Sequence, residues 1–369
     1  MNDNNYCVIM AGGVGARFWP MSRNTMPKQF IDILGTGKTL IQLTYDRFTK
    51  LIPAGNIFIV TNVAYKELVK EQLPDIDDSR IILEPARRNT APCIAYATYK
   101  IHKMNPEANI VVAPSDHVIM KEKDFLNTVK EALHAVEEKN ILMTLGITPS
   151  RPDTGYGYVQ FMDADVNEEH YYSFENVNIK KVKTFTEKPN HEMAESFLQS
   201  GDFLWNSGLF IWSSSSIMNA LEEHLPDVAK LFQKIVPQLN TPEEFDVIDE
   251  TYTECRSISI DYGVMEKALN VYVFVSDFGW SDLGTWGSLH EYRDKDDDNN
   301  AVSGKNVMLY GTKDSIINVP KDKLVVIQGV EDFIIVENDN ILLICKKSDE
   351  QMIRQFVTDV LVEKGEQYI

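Results

Sequence analysis

Between Cys7 and Phe30 the chain reads CVIMAGGVGARFWPMSRNTMPKQF: strand-like residues, a glycine turn, then the cations Arg17, Arg23 and Lys28. Glycines without Cβ let backbone N–H groups approach an anion closely, and cations fixed beside such a turn suit a polyphosphate. Pro20 and Pro27 forbid a long regular helix, so the segment after the turn is expected to be an extended loop laid over the ligand. Residue types alone therefore mark a candidate nucleotide site. Two neighbouring patterns do not carry chemistry. LGTGKT, residues 34–39, has Asp32 where a Walker A loop needs its first glycine, and reads as a hairpin turn. GGVGAR has Phe18 where the dinucleotide fingerprint needs its third glycine. The seven histidines show no zinc-binding spacing.

The elements that must position these residues alternate. Apolar runs at Asn56–Val60, Arg80–Leu83, Asn109–Ala113 and Ile141–Leu145 read as strands. They are separated by helical patterns at Leu40–Ile52, Ala64–Leu73, Thr90–Met104 and Phe125–Glu138. This is the pattern of a parallel sheet covered on both faces, whose ligands bind beyond the carboxyl ends of the strands. Ala11–Gly15, Glu84–Thr90 and Pro114–His117 stand at such ends. From about Gly155 longer strands (Tyr156–Phe161, Ile179–Glu187) point to antiparallel additions. Helical stretches follow at His191–Gln199, Ser216–His224 and Pro242–Tyr252, then a strand at Val271–Val275. The polar run Asp294–Asn300 reads as a linker or solvated turn. Beyond it, close-spaced runs such as SIINV, LVVIQ, FIIVEN and ILLICK predict a small β-helix. A last helix is expected to start on a capping box of Ser348 and Gln351 and to stop at Gly365. Its apolar stripe (Met352, Ile353, Phe356, Val357, Val360, Leu361) suits core packing or the contact of a homodimer.

The chain has 369 residues, a formal charge of −19 and ordinary hydrophobic content. The charge argues against nucleic acid or an anionic membrane as partner. It does not exclude a polyphosphate, because charges more than about 8 Å away are largely screened in physiological salt and local cations decide. No run is long and apolar enough to span a bilayer, and the N-terminus has no signal-peptide pattern. Cys7, Cys93, Cys255 and Cys345 are scattered, as expected of free thiols in a reducing cytoplasm.

Read as GGxGxRFxPxS followed by PKQF, residues 12–30 resemble the signature of sugar-1-phosphate nucleotidylyltransferases, and FWPMSR with PKQF most resembles mannose-1-phosphate guanylyltransferases. EPARRNTAP, APSDH, TGYGYV, FTEKP, WNSGLF, SIDYGVMEK and WSDLGTW follow in that family's order, so the resemblance covers roughly residues 6–290. It implies an α/β fold: a Rossmann-like nucleotide-diphospho-sugar transferase domain with a mainly parallel mixed sheet over 1–293, and a C-terminal β-helix-like domain over 294–369 closed by a helix. It implies that mannose 1-phosphate attacks the α-phosphorus of GTP, giving GDP-mannose and pyrophosphate. Asp116 and Asp282 match the family's Mg²⁺ carboxylates, a pairing that suits an ion which keeps several waters. Arg17 and Lys28 match the catalytic cations. Gly12, Gly13, Gly15, Glu84, Asn89 and Thr90 match the nucleotide side, and Gly157, Glu187, Lys188, Asn206 and Asp261 the sugar-phosphate side. Arg87 and Arg88 fit either a phosphate contact or a solvent-facing helix start. Met21 and Cys93 depart from the family's usual leucine and alanine without touching chemistry. The cupin domain and isomerase activity of longer members are not implied. The alternatives are a nucleotidylyltransferase for another sugar 1-phosphate, or a non-catalytic subunit that senses GDP-mannose.

Overall fold

The computed structural model describes residues 1–162, 174 and 176–369. They form two compact units, each assembled from separate stretches of chain. One holds residues 1–12, 44–115 and 119–280, the other residues 13–43, 116–118 and 281–369.

The first unit is built on a nine-stranded sheet. Its order is Ile81–Glu84, Ile57–Asn62, Asn5–Met10, Asn109–Pro114, Phe203–Ser213, Leu142–Ile147, Val271–Ser276, Ile179–Glu187 and Gly157–Met162. The first four are mutually parallel, with Met10 opposite both Val60 and Pro114 and with Asn62 opposite Glu84. Phe203–Ser213 and Ile179–Glu187 run against their neighbours, so the sheet is mixed. Strands of the NYCVIM and NIVVAP kind are apolar throughout because helices cover both faces. Thr90–Met104 begins on Asn89 as its N-cap and buries one residue after another from Ala91 to Ile101, packing with Ser214–His224 and Pro226–Ile235. The core between helices and sheet includes Phe58, Tyr99, Trp212, Phe232 and Tyr252.

The second unit joins the opening loop to the C-terminal strands. Ala301–Ser303, Ile316–Asn318 and Phe333–Asn338 stack in parallel, as do Asn306–Tyr310 and Leu324–Gln328, which is the coil pattern of a β-helix. The stack ends in an antiparallel pair with Ile341–Lys346. Phe18 and Trp19 share a core with Leu283, Trp286, Ile316, Ile334 and Ile353. The Trp19 indole N–H donates to the Tyr368 carbonyl at 2.7 Å, and the Arg23 guanidinium donates to the Asn338 carbonyl at 3.1 Å. The last helix, Ile353–Lys364, does end at Gly365, but the capping box is absent. A 3-10 turn, Lys347–Met352, leads into the helix instead, and the Ser348 hydroxyl donates to Asp349. Along the predicted stripe Ile353 is buried and Phe356, Val357 and Val360 pack on the core, whereas Met352 and Leu361 are exposed. The segment around Gly35 and Gly37 is a turn closed by the Asp32 carboxylate, which accepts from the Thr36 and Gly37 amides; no strand flanks it, so it is not a hairpin. Asp294–Asn300 is an ordered turn, in which the Asp296 carboxylate accepts from the Asp298 and Asn300 amides.

Candidate active site

In the second unit the opening loop bends twice through single 3-10 turns, Ala16–Phe18 and Lys28–Phe30, as its prolines require. Gly15 takes φ 72°, and a Cβ there would lie 2.6 Å from the Lys28 Cβ, so glycine is needed for both backbone and contact. Gly13 has open space where a Cβ would be. Lys28, which the sequence reads as a cation fixed beside the glycine turn, is buried at 3% exposure. Its ammonium lies 2.7 Å from Asp116 Oδ2 and donates at 3.0 Å to the carbonyls of both Asp282 and Leu283. The ring of Phe18 lies 5.6 Å below it. Arg17 donates to the Gly284 carbonyl at 3.2 Å. Arg17, Lys28, Asp116 and Asp282 are thus gathered in one unit although they lie far apart in sequence. Burial opposes ionisation of Asp116, but the Lys28 ammonium and His117 outweigh it and hold the carboxyl below its ordinary range.

Lys28 ties the Asp116 carboxylate to the main-chain carbonyl of Asp282, both aspartates offer hard carboxylate oxygens, and no cluster of three or more metal-binding side chains occurs among the described residues. That donor set fits Mg²⁺, which takes one or two carboxylates and completes its shell with water and phosphate oxygens. It is too sparse in nitrogen and sulfur for a structural zinc.

The first unit carries two further groups. Glu84, 7% exposed, ends its strand with Oε2 beside Gly12, where a Cβ would stand 3.6 Å from it. The Tyr252 hydroxyl donates to Glu84 Oε1 at 2.9 Å; even so, burial raises the Glu84 carboxyl to about 7. Asn89, at φ 66°, turns the chain into the helix and accepts from the Thr90 amide. The Thr90 hydroxyl in turn accepts from the Ile260 amide at 2.9 Å. Arg88 donates to the Tyr252 carbonyl and Arg87 to the Tyr65 hydroxyl, so both have partners within the protein. Tyr252 belongs to none of the motifs; its helical spacing in EFDVIDETYTE predicts burial and nothing more.

The second group gathers Gly157, Glu187, Lys188, Asn206 and Asp261. A Cβ at Gly157 would meet the Glu187 carboxylate where it now lies, so a side chain there would displace that carboxylate. Glu187 pairs with the Lys188 ammonium. Asn206 donates to Asp261 Oδ1 at 3.0 Å and accepts from the Thr144 hydroxyl at 2.8 Å, which fixes the orientation of its amide. Burial and the charge of Glu187 raise Asp261 to about 6. The two carboxylates keep acceptor capacity beside this fixed amide, which is what vicinal hydroxyls would satisfy. A cavity of about 910 Å³, lined by Asn5, Lys130, His134 and Phe174 among others, includes none of the predicted site residues.

Residues 6–299 match the family model described as nucleotidyl transferase, and the chain belongs to that family. Its relatives are more particular. A mannose-1-phosphate guanylyltransferase of Escherichia coli is 34% identical over 359 residues, 95% of this chain and 74% of that protein. Another, of Salmonella muenchen, is 36% identical over 356 residues, 95% of this chain and 72% of that protein. A crystal structure from Thermus thermophilus, named a mannose-1-phosphate geranyltransferase, superposes with a TM-score of 0.83 at 27% identity, covering 97% of this chain and 99% of that one. A Helicobacter pylori structure named a mannose-6-phosphate isomerase shares the fold, with a TM-score of 0.61 at 24% identity, covering 75% of this chain and 99% of that one.

Proposed function

We propose that the protein transfers GMP from GTP to α-D-mannose 1-phosphate, releasing GDP-mannose and pyrophosphate. The observation that carries this reading is the buried Lys28, held against Asp116 and the Asp282 and Leu283 carbonyls in the loop that the sequence marks for a polyphosphate. A phosphate oxygen of the sugar attacks the α-phosphorus, the bond to the bridging α–β oxygen breaks, and pyrophosphate carries the electron pair away. Such chemistry needs positioning and charge stabilisation more than covalent help. Lys28 and Arg17 balance charge on the departing pyrophosphate. Gly12, Gly13 and Gly15 bring backbone amides to the triphosphate. Glu84 faces the base: guanine presents adjacent N–H donors, and an ionised carboxylate accepts such a pair. Asn89 and Thr90 shape the same wall. Glu187, Asn206 and Asp261 read the sugar hydroxyls, Gly157 lets the sugar come close, and Lys188 takes its phosphate. Mg²⁺, held by Asp116 and Asp282, would supply charge neutralisation at the phosphates.

The unpaired cysteines support a reducing, cytoplasmic setting. Among the described residues no helix is long and apolar enough to cross a membrane. We further propose residues 1–293 as the catalytic portion and 294–369 as the β-helix-like portion, with a homodimer as the assembly. The test is pyrophosphate release with Mg²⁺, each nucleoside triphosphate and a panel of sugar 1-phosphates. Release is expected with GTP and mannose 1-phosphate. Release only with UTP or dTTP would overturn the guanylyl assignment, and release only with another sugar the mannosyl one.

A further inference from the structure

We propose that Tyr252 is a positioning residue for the nucleotide side of the site, its hydroxyl holding Glu84 Oε1 so that Oε2 is the acceptor presented beside Gly12. This rests on the reading of Glu84 as the base-facing carboxylate. The geometry is specific: one carboxylate oxygen is taken at 2.9 Å by a buried phenol, and the other lies next to the first glycine of the opening turn. Tyr252 is itself fixed. Its ring stands edge-on to Tyr96 and Phe232, and Arg88 grips its carbonyl at 2.9 Å. The segments around Glu84 and Tyr252 are further laced by Ala91 donating to the Ile258 carbonyl and Ile258 donating to the Arg88 carbonyl. A tyrosine needed only to fill this space could as well be phenylalanine; among the described residues the hydroxyl's one hydrogen-bond partner is Glu84.

The hydroxyl also favours the charged form of Glu84, which burial disfavours. The other titratable groups that feel this carboxylate are Cys93 and Tyr96 of the helix that follows, and Tyr252 itself. Burial, the largest cause in each case, raises all three above their ordinary values, so they stay neutral near pH 7. Glu84 alone among them changes charge there.

The test is Tyr252→Phe, which keeps the ring, compared with wild type and Glu84→Gln. Both KM values, kcat and kcat/KM for GTP are followed from pH 6 to 9. The ionisation of GTP is common to all three enzymes and cancels in the comparison. Tyr252→Phe is expected to raise the KM for GTP about tenfold at pH 7.5 and to move the inflection in kcat/KM upward by about one pH unit. The KM for the sugar phosphate and the thermal midpoint at pH 6 should stay near wild type. If Glu84→Gln raises the KM for GTP while Tyr252→Phe moves neither that KM nor the inflection, the positioning role is overturned. Should Tyr252→Phe raise both KM values and lower the thermal midpoint together, its role is general packing and the proposal again fails. Wild-type GTP kinetics in Glu84→Gln would remove Glu84 from the base, and the role of Tyr252 with it.

Discussion

Replacing Lys28 by methionine keeps most of the side-chain volume and removes one charge and three interactions: the 2.7 Å pair with Asp116 and the two 3.0 Å donations to the Asp282 and Leu283 carbonyls. Loss of a preorganised donor aimed at developing charge typically costs about 10²–10³ in rate, or about 3–4 kcal/mol of barrier. Turnover measured by pyrophosphate release should fall by that factor. Stability should fall too, by about 1–3 kcal/mol, because two carbonyls and a carboxylate lose a charged donor. The carboxylate is 31% exposed and keeps some hydration, which places the cost below that of a fully buried broken pair. The pH dependence gives a second check. In the wild type Asp116 sits below its ordinary range, because Lys28 and His117 overcome burial. Its stabilisation is therefore present above the ordinary carboxylate range and lost as pH falls through the lowered value. Without Lys28 two of the influences that lower this carboxyl are gone while burial stays, so it rises and this contribution shrinks. Thermal melts between pH 3 and 7 should show less acid destabilisation in the variant than in the wild type. Turnover within threefold of wild type, or an unchanged acid slope, would refute the reasoning.

Gly15→Ala should cost about 1–2 kcal/mol of stability from its left-handed backbone, and more than tenfold in kcat because the new methyl displaces Lys28; melting and steady-state assays check both. Asp261→Asn should separate binding from stability. Its carboxyl is raised to about 6, so ionisation works against folding as pH rises through that value. The amide should gain about 1–3 kcal/mol at pH 8 in a denaturant titration, while the KM for the sugar phosphate climbs at least tenfold. Chelation by EDTA should abolish turnover and added Mg²⁺ restore it, whereas Asp282→Asn should leave turnover low at any Mg²⁺ concentration.

Local signals carried far. Thr90–Met104 and Ile179–Glu187 occur with the boundaries their patterns predict, since each has a clear period and a clear stop. The strand Phe203–Ser213 escaped because its FLWNSGLFIWS is buried on both faces, lacks alternation and is interrupted by Asn206 and by Gly208 at φ 71°. Pro226–Ile235 was also missed, although its Val228, Ala229, Phe232 and Ile235 spacing is helical and its proline stands in the first turn. The make-up of the two units from separated stretches is not legible in the sequence, because it depends on contacts among stretches far apart, such as residues 116–118 and 281–369. For the same reason the depth at which Lys28 is buried is not legible in its own segment: the carbonyls around it come from Asp282 and Leu283. Tyr252 carries no motif and is found only through its distance to Glu84.

The ties from Trp19 to Tyr368 and from Arg23 to Asn338 join residues 349 and 315 positions apart. A ribosome adding about 5–20 residues per second needs roughly 15–70 s to cover that interval. Throughout it the opening loop exists without the partners that hold it, so its apolar Phe18 and Trp19 are open to solvent or to a chaperone. Synthesis thus imposes an order: the sheet strand that precedes the loop can pair early, Arg17 and Lys28 wait for residues 282–284, and Trp19 and Arg23 are tied only near the end. A nascent chain stalled before residue 338 would lack both ties and keep Phe18 and Trp19 without part of their core.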